Sequence, residues 1–168
     1  YKGDDDLMQA QHRKYDRIID RLNTSSGRVL EVGCGWGGFA ERALEKGDYD
    51  LKGITLSEEQ HEFAKHRLGD NARIVLEDYR HQEGKFNSIV SIEMFEAVGE
   101  RYWPTYFGKL KEMMDQNGRA VIQTITMNEF DFPRYRRSSD FIRSFIFPGG
   151  MLPSQSRFAQ EAECAGLK

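Results

Sequence analysis

Along the first part of the chain, Leu7, Ala10, Tyr15, Ile18, Ile19 and Leu22 recur at helical spacing. This pattern predicts a helix over 4–22 whose Arg and Asp residues face water. After a polar turn at 24–27, Arg28-Val-Leu-Glu-Val-Gly33 is a short apolar run rich in β-branched residues and closed by glycine, the pattern of a buried strand. Residues 39–47 then predict a helix and 49–55 a second strand. Ser57-Glu-Glu-Gln60 opens another helix, with Ser57 as its N-cap.

The alternation continues with strands at 72–76 and 86–92 and a helix over about 102–115. A strand at 119–126 follows a Gln116-Asn-Gly118 turn. Strands and helices alternating at this length imply right-handed crossovers, and so an α/β fold with a doubly wound, mainly parallel sheet. The stretch 127–153 breaks the rhythm, carrying Pro133, Pro148, Gly149, Gly150 and Pro153 among aromatic and basic residues. It reads as an irregular insertion covering one end of the sheet. A last helix runs from Ser154 to about Ala165, and the chain stops where another strand would begin, so a fold truncated at its C-terminal end is expected. The expected organisation is one domain over 1–168, with 1–26 as N-terminal helix and turn.

Composition narrows the partners. With 168 residues the chain can bury one core without disulfides or a structural metal. A net charge of −3 gives no global attraction for nucleic acid. Cys34 and Cys164 lie far apart and outside any CxxC spacing, which argues for neither a disulfide framework nor a zinc site. His12, His61, His66 and His81 lack convergent spacing, so no metal is expected. No apolar run reaches the roughly 18 to 20 residues that span a bilayer. A cytoplasmic protein that meets a membrane only at its inner surface is the resulting expectation.

The chemistry concentrates at Gly33-Cys-Gly-Trp-Gly-Gly38, between the first strand and its helix. In this context a glycine-rich loop lets a ligand approach the backbone closely. The run can be read as GxGxG through Gly33, Gly35 and Gly37, or as the dinucleotide pattern GxGxxG through Gly33, Gly35 and Gly38. The dinucleotide reading calls for an acidic residue about 20 positions on to hold ribose hydroxyls. Asp50 falls too early, while Thr55 and Gln60 offer neutral groups to a ribose. A nicotinamide cofactor is therefore disfavoured. Asp78, ending the third strand, can accept a bond from an adenine amino group. The bland alternative is a tight turn with the polar residues acting only as caps.

Several blocks together resemble the cyclopropane-fatty-acyl-phospholipid synthases and the related mycolic acid cyclopropane synthases. They are Val29-Leu-Glu-Val-Gly-Cys-Gly-Trp-Gly-Gly38, Gly53-Ile-Thr-Leu-Ser57 with Gln60, Asp78-Tyr-Arg80, Ser91-Ile-Glu-Met-Phe-Glu-Ala-Val-Gly99, Tyr106-Phe107, and Phe141-Ile142 followed by Ile146-Phe-Pro-Gly-Gly150 and Leu152-Pro-Ser154. The resemblance implies a Rossmann-like, S-adenosylmethionine-dependent methyltransferase. Its cofactor would lie on Gly33, Cys34, Gly35, Gly37, Thr55, Leu56, Gln60, Asp78 and Tyr79. It further implies transfer of a methylene group to the cis double bond of an unsaturated phospholipid acyl chain. In that family a bicarbonate ion takes the proton and a glutamate positions it, a role that falls on Glu96; a loop cap or an arginine pair is the structural alternative for this residue.

Two departures bear on that carry-over. Ala97 stands where the family commonly has His, and Gln123-Thr-Ile125 where it commonly has HTI. Gln123 can hydrogen-bond an anion through its amide but carries no charge. A subgroup making methyl-branched or methylene-bearing lipids, a methyltransferase on another small acceptor and a cofactor-binding scaffold without catalysis stay open. Arg134, Arg136, Arg137 and Arg143 interleave with Phe130, Phe132, Tyr135, Phe141, Phe145 and Phe147. That segment can dock on anionic headgroups or be a solvated basic face. For Trp36 and Trp103 core packing is expected first, with cofactor stacking the alternative for Trp36.

Overall fold

A computed structural model describes residues 6–138 and 149–167. Its element order is α1 (Leu7–Leu22), β1 (Ser26–Val32), α2 (Gly38–Lys46), β2 (Asp48–Thr55), α3 (Glu58–Leu68), β3 (Arg73–Leu76), β4 (Phe86–Ile92), α4 (Trp103–Met113), β5 (Met114–Gln123), α5 (Phe132–Arg137) and α6 (Gln155–Cys164). The five strands form one sheet in the order β3-β2-β1-β4-β5. β1 pairs in parallel with β2, Val32 opposite Ile54, and β2 in parallel with β3, Thr55 opposite Leu76. The order reverses beside β1, which marks the carboxyl end of that strand as the switch point of an open α/β sheet. The doubly wound fold expected from the alternation is the fold observed.

The chain divides into two compact units. The first comprises Tyr1–Val90 with Met114–Val121, the second Ser91–Met113 with Ile122–Lys168. In the first, the strands bury Val29, Leu30, Leu51, Ile54 and Ile89 almost completely. Against these, α2 contributes Phe39, Ala40 and Ala43, and α3 contributes Ala64 and Leu68. The helix α1 is capped by Asp6, whose carboxylate accepts from the Gln9 backbone at 2.7 Å, and it stops at Asn23 in the left-handed region. Arg42 of α2 grips Asp16 of α1 through two bonds of 2.8 and 3.0 Å.

The second unit is built around aromatic rings. Phe95 sits 5.0 to 5.5 Å, centroid to centroid, from Trp103, Tyr106, Phe107 and Phe158. Trp103 is fully buried and its indole N–H donates to the Val98 carbonyl at 2.9 Å, so its expected anchoring place is the one it takes. Glu100 receives Arg136 at 2.7 Å and Arg157 at 3.8 Å.

Two features differ from the sequence expectation. β5 begins at Met114, ahead of the Gln116-Asn-Gly118 turn. The reversal survives inside it, because a Cβ on Gly118 would stand 3.0 Å from the Asp115 backbone nitrogen. Within 127–153, Phe132–Arg137 forms a short helix, since Pro133 falls in the first turn where the missing N–H has no helical partner to lose. Of the remainder, 139–148, with Phe141, Arg143, Phe145, Phe147 and Pro148, lies outside the described residues.

Gly53 of β2 lies against the start of the glycine loop: a Cβ there would come within 2.8 Å of Ile74 Cδ1 and 2.9 Å of Cys34 Cβ. Gly53→Ala should therefore destabilise the fold by about 1–3 kcal/mol through overpacking. Urea denaturation checks this; an unchanged midpoint would show that the strands can move apart there.

Candidate cofactor site and acidic pair

The strand β1 ends in a backbone tie. The amides of Gly33 and Cys34 both donate to the Ile54 carbonyl, at 3.0 and 2.9 Å, and the Gly37 amide donates to Cys34 O at 3.0 Å. The chain between these bonds turns through three residues with positive φ, Gly33 at 80°, Gly35 at 52° and Gly37 at 78°. L side chains rarely adopt such values, so the alternate glycines follow from the backbone path.

Gly38 is absent from that set. Its smallness serves packing, since a Cβ there would lie 2.9 Å from the Tyr15 hydroxyl. The geometry thus favours the GxGxG reading over GxGxxG. Gly37 also accommodates α3, with Leu68 Cδ1 at 3.1 Å and Ala64 Cβ at 3.2 Å from a notional Cβ. Around Gly35 the same construction meets nothing within 4 Å, so open space lies against the loop.

Beside the loop, at the exit of β2, Thr55 Oγ1 donates to Gln60 Oε1 at 2.8 Å and accepts from the Ser57 amide at 3.2 Å. Ser57 caps α3 by accepting from the Gln60 amide. With its side-chain oxygen engaged by Thr55, Gln60 offers its side-chain Nε2 as a donor. Leu56 is exposed. At the exit of β3, Asp78 accepts from the Arg80 amide at 2.9 Å and pairs with its guanidinium at 2.5 Å. That hydrogen-bonded arginine holds the Asp78 carboxyl below its ordinary range, so it is an ionised acceptor. Burial raises the neighbouring Tyr79 phenol. Thr55 and Gln60 are thus brought together, while Asp78 has a partner of its own.

Trp36 corrects an expectation of core packing. It is 53% exposed and meets Phe63 edge-on, with centroids 5.3 Å apart. A residue at the tip of a loop folded over glycines has no strand or helix interior to enter.

Glu31 went unnoticed in the sequence. It sits in β1 at 2% exposure, and its Oε2 has no hydrogen-bond partner. Burial raises its carboxyl well above the ordinary range. Burial also lifts the Cys34 thiol to about 12, with Glu31 adding to the shift. The signal was a charged residue at the centre of an apolar strand two positions before the first glycine. A buried carboxyl without a partner is a candidate for a cationic group brought by a ligand.

The second unit holds both residues expected to act on the acceptor. Glu96 lies in a 3-10 turn, Phe95–Ala97, at 8% exposure. Its Oε1 accepts from the Ile125 amide at 2.6 Å, and its Oε2 is buried without a hydrogen-bond partner. No arginine pairs with it among the described residues. Gln123 Nε2 donates to Glu93 Oε1 at 2.8 Å, and the Glu93 amide donates to Gln123 O at 2.9 Å. In sequence Glu93 is an ordinary member of the Ser91–Gly99 block; its φ of 53°, unusual for a side-chain-bearing residue, singles it out. Among the described residues no cluster of His, Cys, Asp and Glu could hold a metal, and no helix is long and apolar enough to cross a membrane.

A five-stranded open sheet with a glycine loop of this shape at its switch point defines the Rossmann-like methyltransferase fold. The whole chain, residues 1–168, matches the mycolic acid cyclopropane synthetase family, and the protein belongs to it. Tuberculostearic acid methyltransferase of Mycobacterium tuberculosis is 41% identical over 155 residues, covering 89% of this chain and 36% of the relative. Cyclopropane-fatty-acyl-phospholipid synthase of Escherichia coli is 36% identical over 165 residues, 97% of this chain and 42% of the relative. A mycolic acid cyclopropane synthase crystallised with SAH and CTAB superposes with a TM-score of 0.87 at 30% identity, covering 98% of this chain and 63% of that one. The chain therefore spans about two fifths of the length of these two curated relatives.

Two outcomes follow from the buried acid and thiol. Because the folded-state value of Glu31 exceeds that of the unfolded chain, its favourable contribution is complete below the unfolded value and is lost as pH rises through the folded one. Glu31→Gln removes this titration, so thermal unfolding should show the variant gaining on the wild type as pH is raised above 4.5, the group's ordinary value. A difference independent of pH would contradict the buried acid. An aromatic disulfide reagent should react with exposed Cys164 in the native protein and with Cys34 only after unfolding.

Proposed function

We propose that the protein uses S-adenosylmethionine to transfer a methyl or methylene group to the cis double bond of an unsaturated phospholipid acyl chain. The observation that carries this reading is the loop at Gly33, Gly35 and Gly37, left-handed at each glycine and open in front of Gly35. When bound, the sulfonium nucleoside supplies an electrophilic methyl carbon. Around it, Gly33 and Gly35 admit the methionine portion to the backbone, with Cys34 lining the loop as a neutral thiol. Glu31, buried without a hydrogen-bond partner on Oε2, would pair as a carboxylate with an ammonium group brought beside it, which offsets the effect of burial. Thr55 and Gln60 hold the ribose hydroxyls, Leu56 and Tyr79 provide apolar surface for the base, and Asp78 accepts from its amino group.

An alkene is a weak nucleophile, so the residues serving the acceptor must exclude water and favour positive charge on carbon. Glu96, buried and acidic, has those two properties. Gln123 acts beside it as a neutral polar group. The relative at 41% identity is named for tuberculostearic acid, which favours a second reading, a methyl-branched product rather than a ring. The departures at Ala97 and Gln123 support it too.

For lipid access, we infer docking at the inner face of the membrane. Phe130 is 88% exposed, and the Arg134 side chain is equally open. A basic side chain near an anionic surface contributes about 1 kcal/mol.

Calorimetry with S-adenosylhomocysteine and with NAD tests the cofactor. Binding of the first alone is expected, and Gly35→Ala should weaken it at least tenfold, about 1.4 kcal/mol, because the added methyl enters the open space. Binding of NAD would overturn the assignment. Incubation with unsaturated phospholipid should give a product heavier by one methylene. At that mass, loss of the double bond identifies the ring, and a double bond retained at a shifted or methylene position identifies the branched product. Glu96→Gln should lower kcat by about 10²-fold with cofactor affinity unchanged; equal loss of both would make Glu96 structural.

A further inference from the structure

Resting on that reading, the geometry of the second unit points to a proton acceptor supplied by the chain itself. We propose that the Glu93–Gln123 pair positions the acceptor site so that Glu96 Oε2 takes the proton from the transferred carbon directly, with no bound bicarbonate.

The residues present do not fit a bicarbonate ion. The Gln123 amide nitrogen, the group best able to hold an anion, donates to the Glu93 carboxylate at 2.8 Å. The Ile125 amide, the next donor but one along the same segment, is used by Glu96 Oε1 at 2.6 Å. Two acidic side chains thus occupy the donors of alternate residues at the end of β5. An inorganic anion entering there would be a third negative charge, and Gln123 has no positive charge to offset it.

What the arrangement does offer is a base. Glu96 is fixed at one oxygen by Ile125, and its main-chain carbonyl accepts from the Met151 amide at 3.0 Å. The other oxygen is buried and has no hydrogen-bond partner. Glu93 completes the design as a positioning residue. Its φ of 53° is strained for any residue but glycine, yet it is clamped twice to Gln123, by its amide and by its carboxylate. Held this way, Gln123 turns a donor toward Glu93 and not toward an added anion.

The step balances without a co-reactant. The alkene π electrons form the new C–C bond as the C–S bond breaks, its electrons staying on sulfur, and positive charge appears on the second alkene carbon. The new methyl then releases a proton to Glu96 Oε2. The electrons of that C–H bond close the ring; if a 1,2-hydride shift first moves the positive charge to the methyl-bearing carbon, they form a methylene double bond instead. Glu96 later passes the proton to water.

The experiment pairs binding with turnover. Titration of ¹³C-bicarbonate into the cofactor-free protein, read by its carbon line width, should show no binding. Turnover in CO₂-depleted buffer should equal turnover with added bicarbonate. Glu93→Gly suits the left-handed backbone, so its melting temperature should hold or rise. It should nevertheless lower kcat in CO₂-depleted buffer and acquire stimulation by bicarbonate, as should Gln123→His. A merely structural Glu93 would lower the melting temperature and leave bicarbonate dependence as it was. Bicarbonate binding or stimulation in the wild type overturns the inference while leaving the methyl transfer standing. Absence of any alkylated lipid under every condition, with S-adenosylhomocysteine still bound, would instead sink the underlying functional reading and this inference with it.

Discussion

The exit of β1 is governed by one carbonyl. Ile54 O receives the amides of both Gly33 and Cys34, so the chain must leave its strand while staying tied to the neighbouring one. That tie forces the left-handed path through Gly33, Gly35 and Gly37, and α2 can begin at Gly38 only after it. The glycines are therefore consequences of a parallel pairing between β1 and β2 as much as of any ligand. Open space in front of Gly35 leaves room for a ligand at a turn that the pairing already requires.

Much of the first unit could be read from sequence because its signals are local. The alternation of short apolar runs with capped helical segments located β1 to β4 within a few residues, and Ser57 does cap α3. The close Thr55 to Gln60 contact also follows from spacing, since a strand exit and the first turn of the next helix lie side by side. Trp36 departs from the expected burial for a physical reason: hydrophobicity favours burial on average, but a loop tip offers no interior. The turn inside β5 and the short helix at Phe132–Arg137 depend on how residues several positions apart meet, which periodicity does not encode.

Glu31 and Glu93 escaped attention for a related reason. Each is an ordinary glutamate in sequence, and its meaning lies in what surrounds it. For Glu31 the surroundings are apolar, so its carboxyl is pushed up and the Cys34 thiol with it. Such a thiol is a poor nucleophile, which keeps an alkylating cofactor from being intercepted by the loop that would bind it. A cysteine in the midst of a methyl donor's cradle would otherwise be a hazard.

Left-handed backbone recurs where two strands end, and the chain treats the two cases differently. After β1 it uses glycines, which take positive φ at no steric cost. After β4 it uses Glu93, which gives up about 1–3 kcal/mol in strain. Glycine would serve the backbone better, so the side chain must return something that glycine cannot. Its carboxylate accepts from Gln123, the position where the family that the sequence resembles commonly has His. The two changes make sense together: an acid at 93 would pair with a cation at 123 and neutralise it, whereas with an amide it forms a neutral-to-charged bond that fixes orientation. The strain at Glu93 is then the cost of aiming Gln123, and the acid that stays unengaged at one oxygen is Glu96.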